Sequence, residues 1–288
     1  MTMPVPTKPP PAPPKAAPIA PPSATASAPV SKLKISKGTR AAAQRIVVYA
    51  PGGAGKSTLC SLLPAAGVEP VFLDVEGGSD HLDVARLGPD DGMVGWAEMR
   101  EALNGGMLDE YGAIVLDSGT KAEEFCTQHV IATVKHEKGA PINRLEDYGY
   151  GKGYTFVFDE FMLLLQDLDA RARAGQHVIV ICHEESCLVP NPLGVDYLRW
   201  EPRMQQGNKA RTQVRSRLVE WANHVLRIGY DVSVDDHGKA TGVDSRQIYA
   251  HARPHFLAKS RTLTEPMYSF TSKDDASVWT AMFANQEK

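Results

Sequence analysis

The residues with the clearest chemical potential are 50–58, "APGGAGKST", which follow the apolar run "RIVVY". Glycine-rich loops ending Gly-Lys-Ser/Thr cradle phosphate: amides point inward, the lysine meets terminal phosphates and the hydroxyl ligates Mg²⁺. Here Gly55, Lys56 and Ser57 hold the pattern's end, while Ala50 stands where its first glycine is usual. Gly52, Gly53, Ala54, Gly55, Lys56, Ser57 and Thr58 are therefore the candidate phosphate-binding residues. Such a loop needs a second anchor for the metal at a neighbouring strand end, and "AIVLDS" supplies Asp117. It also needs a carboxylate to activate water. Ser118, not an acid, follows Asp117, so the candidate is Glu76 in "LDVEGG", where Gly77 and Gly78 allow a tight turn.

These groups must be positioned by alternating strands and helices. "RIVVYA" (45–50), "PVFLDV" (70–75), "AIVLDS" (113–118) and "HVIVIC" (177–182) are short continuous apolar runs, as in strands buried on both faces. Thr120 and Glu123 have capping-box spacing at the head of one helix. Phe158, Phe161, Met162, Leu165, Leu168 and Ala172 place a second helix over 155–174, ended by Gly175. A helix passing into a strand follows at 213–234, then a turn around 235–242 and a strand at 246–252. The expected fold is α/β, a mainly parallel twisted sheet flanked by helices.

Residues 1–40 are a different polymer. They hold more than half of the 21 prolines, several lysines and no acid, the first carboxylate being Glu69. Such a stretch cannot offset its ordering entropy by burial, so it is expected to be a disordered, mildly basic tail. The expected organisation is tail 1–40, ATPase domain 41–270 and C-terminal tail 271–288. The net charge of −3 gives no global nucleic-acid signature. Four scattered cysteines with no CxxC pair argue against a zinc or disulfide framework. No signal peptide or apolar run of membrane-spanning length is present, so a cytoplasmic location, with no membrane partner, is expected.

The loop, "LDVE" after the next strand and "VLDS" after the third together resemble the RecA-type ATPase core, a group including RecA, KaiC and DnaB-type helicases. The stretches "EDYGYGKGYTFVFDEF" and "LVEWANHVLRI" resemble phage-encoded RecA-like ATP-binding proteins, some of which anneal single strands beside a single-stranded-DNA-binding protein. The resemblance spans about 44–265. It implies ATP and Mg²⁺ as cofactors, Glu76 as catalytic base, and His183, after the fourth strand, as a γ-phosphate sensor. "AKSR" resembles the Lys-x-Arg element of KaiC and DnaB types, which makes Lys259 and Arg261 fingers acting in a neighbouring subunit of a ring or filament. It also implies that two loops, 138–154 and 184–211, face single-stranded DNA and are poorly ordered without it. The first carries Tyr148, Tyr150 and Tyr154; the second carries Arg199, Trp200, Arg203, Lys209 and Arg211. Cations interleaved with aromatics suit unpaired strands. A DnaB-like motor or loader and a KaiC-like nucleotide switch without a DNA role stand as alternatives. A small-molecule kinase is a weaker one, for want of a lid-like arginine cluster.

Overall fold

The computed structural model describes residues 35, 37, 38, 42–206, 212–234 and 240–283; side chains are described outside 231–234 and 240–244. The chain divides into two units, Met1–Thr39 and Arg40–Lys288, and the sheet and its helices belong to the second. The expected tail lies almost wholly outside the described residues.

Among the described residues nine strands form the sheet: β1 (Arg45–Ala50), β2 (Pro70–Asp74), β3 (Ala85–Leu87), β4 (Ala113–Asp117), β5 (His177–Val189), β6 (Tyr197–Pro202), β7 (His224–Val234), β8 (Ala240–Tyr249) and β9 (Met267–Ser269). The order is β3-β2-β4-β5-β1-β7-β8-β9, with β6 paired to β5. From β3 to β7 every neighbour is parallel, while β8, β9 and β6 pair antiparallel. The central strands run apolar throughout because both faces are covered.

Alternation along each strand divides the core. Val47, Tyr49, Leu73, Ile114, Leu116, Val178 and Val180 face α2 (Trp96–Asn104), α3 (Gly119–Thr133), α4 (Lys152–Arg173) and α5 (Val214–Trp221). Ile46, Val48, Phe72, Val115, Ile179 and Ile181 face α1 (Lys56–Ser61) and α6 (Ser277–Phe283). Gly119 lets α3 lie close to β5, for a Cβ there would stand 2.5 Å from Val180 Cγ1.

Four local expectations are corrected. Ser118, not Thr120, caps α3: its hydroxyl accepts the Lys121 N–H at 3.2 Å. Residues 184–202 are not a structureless loop. β5 runs on past the sheet and pairs with β6, Leu188 opposite Leu198 and Ser186 opposite Trp200. The segment before α4 is likewise ordered, by a 3₁₀ turn at Leu145–Tyr148. Within the expected C-terminal tail, α6 is core: Val278 and Trp279 are fully buried, and the Trp279 indole N–H donates to the Leu59 carbonyl at 2.7 Å.

Candidate active site

The parallel strands end together. Ala50 is in register with His183, and Asp74 with Asp117, so the loop after β1 and the acids after β2 and β4 open on one carboxyl edge. This is where open α/β sheets place ligands.

The 51–55 loop leads directly into α1. Gly55 sits at φ +94°, a left-handed conformation that glycine adopts without strain. A side chain there would also strike the Arg246 guanidinium, 2.5 Å away. Gly52 and Gly53 are exposed on the loop and Ala54 is buried beneath it. Lys56 Nζ folds back onto the carbonyls of Ala50 (3.2 Å) and Pro51 (3.1 Å). Burial lowers its pKa, against the pull of Asp117 and Glu76. An ammonium held by two loop carbonyls is poised to exchange them for phosphate oxygens. Thr58 continues α1 directly after Ser57.

Ser57 Oγ donates to Asp117 Oδ2 at 2.5 Å. Burial pushes the Asp117 carboxyl up to about 6; the Ser57 hydrogen bond and Lys56 oppose this, while Glu76 and Asp74 reinforce it. A buried acid held partly uncompensated beside a hydroxyl fits a hard divalent cation. Among the described residues no group of three or more His, Cys, Asp or Glu side chains could hold a metal alone. A magnesium ion held by Ser57 and Asp117 would take further oxygens from phosphate and water. Loop, lysine, hydroxyl and acid thus fit a nucleoside triphosphate with Mg²⁺.

Glu76 is held by two side chains from neighbouring elements. Ser118 Oγ donates to its Oε1, and His183 Nε2 lies 3.0 and 3.3 Å from its two oxygens. The base and sensor expected from sequence are in contact with each other. His183 is held in turn by its backbone: its N–H donates to Thr120 Oγ1 (3.1 Å) and its carbonyl accepts the Arg203 N–H (2.8 Å). Asp74, which pairs with Asp117, is spent on the turn below Glu76. Burial raises its pKa, but hydrogen bonds from the Ser79 hydroxyl and the amides of Ser79, Gly78 and Gly77 outweigh this and lower it.

Other expected residues lie elsewhere. Lys259 pairs with Val225, which pairs with Val47, four residues before Pro51. Lys259 is thus roughly 13 Å back along the strands from its own loop, at the amino edge, with Arg261 beside it. The pair is remote from the phosphate loop of its own chain. On the hairpin, Arg199 is tied to the buried Glu201 (Nε to Oε1, 2.7 Å), Trp200 is 41% exposed and Arg203 is exposed. Lys209 and Arg211 lie outside the described residues.

Three contributors were missed in the sequence. Ser118 and Thr120 are ordinary helix-head residues until their partners are seen. Arg246, from β8, donates to the Ala54 carbonyl (3.0 Å) with its guanidinium 4.4 Å from the Phe270 ring. Nothing in a strand-like "SRQIY" signals that it reaches the loop.

With β1 set between β5 and β7 and its loop facing acids from β2 and β4, the domain has a RecA-like fold of the P-loop class. Residues 42–262 match the family model described as AAA domain, AAA_24, and the chain belongs to that family. No curated protein matches it. Solved structures similar to it include the RadB recombinase, 16% identical over 82% of this chain and 91% of that one, with a TM-score of 0.40. A KaiC-like protein from the hyperthermophilic archaeon Pyrococcus horikoshii OT3 is 10% identical over 81% and 88%, TM-score 0.38. The flagellar accessory protein FlaH from Methanocaldococcus jannaschii is 10% identical over 74% and 79%, TM-score 0.35. None of their activities carries over on likenesses of this degree.

Proposed function

We propose that the chain hydrolyses ATP with Mg²⁺ and couples turnover to single-stranded DNA, in annealing or a related step of phage recombination within a bacterial host's cytoplasm. The observation that carries the hydrolytic part is Glu76, held by Ser118 and His183 across the edge from the Ser57–Asp117 pair. In this scheme Lys56 anchors terminal phosphates and Ser57 and Asp117 hold the cation, which supplies charge to the phosphate oxygens. Glu76 orients the attacking water and takes its proton. His183 reads the terminal phosphate through its contact with Glu76. Lys259 and Arg261 complete a neighbour's site, because they cannot reach their own; the working form is a homo-oligomer. The DNA part rests on the phage-protein resemblance and on Arg203, Lys209 and Arg211 following the hairpin, with a single-stranded-DNA-binding protein as a further partner.

One observation favours a second role, a nucleotide switch that docks protein. The hairpin's outer face is apolar: Leu188, Leu193, Val195 and Leu198 are each more than 60% exposed. ATP turnover with and without an oligodeoxythymidine, alongside electron microscopy for rings or filaments, separates the two. Stimulation by DNA supports the first; turnover indifferent to DNA supports the second.

A further inference from the structure

Among the described residues outside the nucleotide edge, the most unusual backbone is "YGYGKGY", 148–154. Gly149, Tyr150 and Gly151 take left-handed φ values in succession, 71°, 50° and 71°. For glycine this costs nothing, but a tyrosine in that region is strained and persists only when its surroundings impose it. They do so from both sides. Tyr148 is buried and its hydroxyl donates to the carbonyls of Val130 (3.0 Å) and Val134 (2.7 Å). Gly153 lies so close to the 3₁₀ turn that a Cβ would collide with the Leu145 carbonyl oxygen and stand 2.9 Å from the Leu145 Cα. The outcome of this construction is a single ring held fully in solvent: Tyr150 is 100% exposed. An aromatic buttressed outward at the expense of strain has no packing role to explain it.

Its neighbours are cationic on two sides. The Lys152–Glu137 ion pair (2.7 Å) draws the 135–138 segment alongside, with exposed Lys135 and Lys138 making no ion pair among the described residues. On the other side, Gln205 Nε2 donates to the Tyr154 carbonyl (3.0 Å), which ties the chain after the hairpin, with exposed Arg203 two residues earlier, to the first turn of α4. The Trp200 face of the hairpin, by contrast, is apolar, and Arg199 beside it is neutralised by Glu201.

We infer that Tyr150 is the base-stacking residue of a single-stranded nucleic-acid site, with Tyr148 and Gly153 as its mounting and the flanking cations as its phosphate contacts. This rests on the proposed DNA role and moves its stacking centre from Trp200 to the arch. The test measures binding of a fluorescent oligodeoxythymidine by the full chain over a salt series, together with thermal unfolding. Tyr150→Gly should lose about tenfold in affinity, the scale of one stacked base, with an unchanged salt slope because no phosphate contact is removed. Its unfolding midpoint should rise, since glycine relieves the left-handed strain. Tyr150→Trp should retain binding. Wild-type affinity in Tyr150→Gly overturns the inference and leaves the DNA role intact. Lost binding with a lowered midpoint overturns it too, the ring then being structural. No binding by the wild-type chain removes both, and leaves the arch as a contact for protein.

Discussion

Lys56 and Glu76 divide two tasks that a single deletion would blur. Lys56→Ala removes the cation that meets the phosphates, so nucleotide affinity should fall by two orders of magnitude or more, about 3 kcal/mol for a buried charge-assisted contact. Glu76→Gln keeps the shape and loses the base, so binding should persist while turnover drops at least a hundredfold. Isothermal titration and a phosphate-release assay on both variants decide it; normal turnover in Glu76→Gln would reassign the base. Asp117 makes a different demand. Folding raises its carboxyl from the ordinary 3.8 to about 6, chiefly by burial. A raised carboxyl favours the folded state at low pH, and that contribution is lost as pH rises through 6. The nucleotide-free protein therefore carries an ionised, half-compensated carboxylate at neutral pH. Asp117→Asn should stabilise it by about 2–3 kcal/mol above pH 7, the gain vanishing below pH 4. The same change should abolish Mg²⁺-dependent nucleotide binding. Urea unfolding at pH 4 and pH 7.5 reads the first effect.

The elements show which signals survive from chain to fold. All four apolar runs became strands where expected, because a strand buried on both faces leaves an uninterrupted apolar signature. The phosphate loop and both acids were legible for a similar reason: few chemistries require those residue types at a strand's carboxyl end. The hairpin was not. β5 changes from buried to half-exposed at His183 and Glu184, where the apolar run stops, and short strands of mixed polarity resemble loops when read singly. The Ser118 cap was masked by Thr120, which has the right spacing to Glu123 but is spent on His183 and Arg203. The α6 segment is short and flanked by polar residues, so the burial of Trp279 depends on α1 and Leu63, more than 200 residues earlier. Gly153 tests the geometry of the arch at this scale. Gly153→Ala has nowhere to put its Cβ except against Leu145 backbone, and should cost about 1–3 kcal/mol by overpacking. A midpoint within error of wild type would mean that the turn and α4 separate easily.

At the scale of the molecule, two buried histidines and two buried acids set the response to acid. Burial lowers His177 to about 4; it does the same to His224, with Arg261 and Lys259 adding to the effect. His177 Nδ1 accepts the Gln44 N–H at 3.0 Å, which requires that nitrogen to be bare. A depressed histidine contributes stability above its unfolded value of 6.5 and loses it as pH falls toward 4. The histidine contribution is therefore lost between pH 6.5 and 4, while Asp117 and Glu123, raised by burial to about 6 and about 7, gain over an overlapping range. Removing one side of this balance exposes it: His177→Gln should lose less stability than the wild type between pH 7 and pH 4.5 in urea unfolding, and an equal loss would contradict the assignment. Assembly can be tested by mixing. Arg261→Ala and Glu76→Gln should each be inactive alone. Together, some interfaces would join an intact Glu76 to an intact Arg261, and part of the turnover should return. Mixed oligomers that stay inactive, or an active Arg261→Ala protein, would remove the trans role.

The sheet order has a bearing on synthesis. β1 delivers the phosphate loop, yet its two partners are β5 and β7, beginning at His177 and His224. Until the chain reaches β5, roughly 6–25 s after β1 at ordinary elongation rates, "RIVVYA" has no edge to join, and its second partner comes later still. The strand that matters most for nucleotide binding is thus the one longest exposed as a naked apolar segment. A nascent chain stalled before β7 should be held by chaperones and bind no nucleotide, and the site should appear abruptly once β7 has emerged.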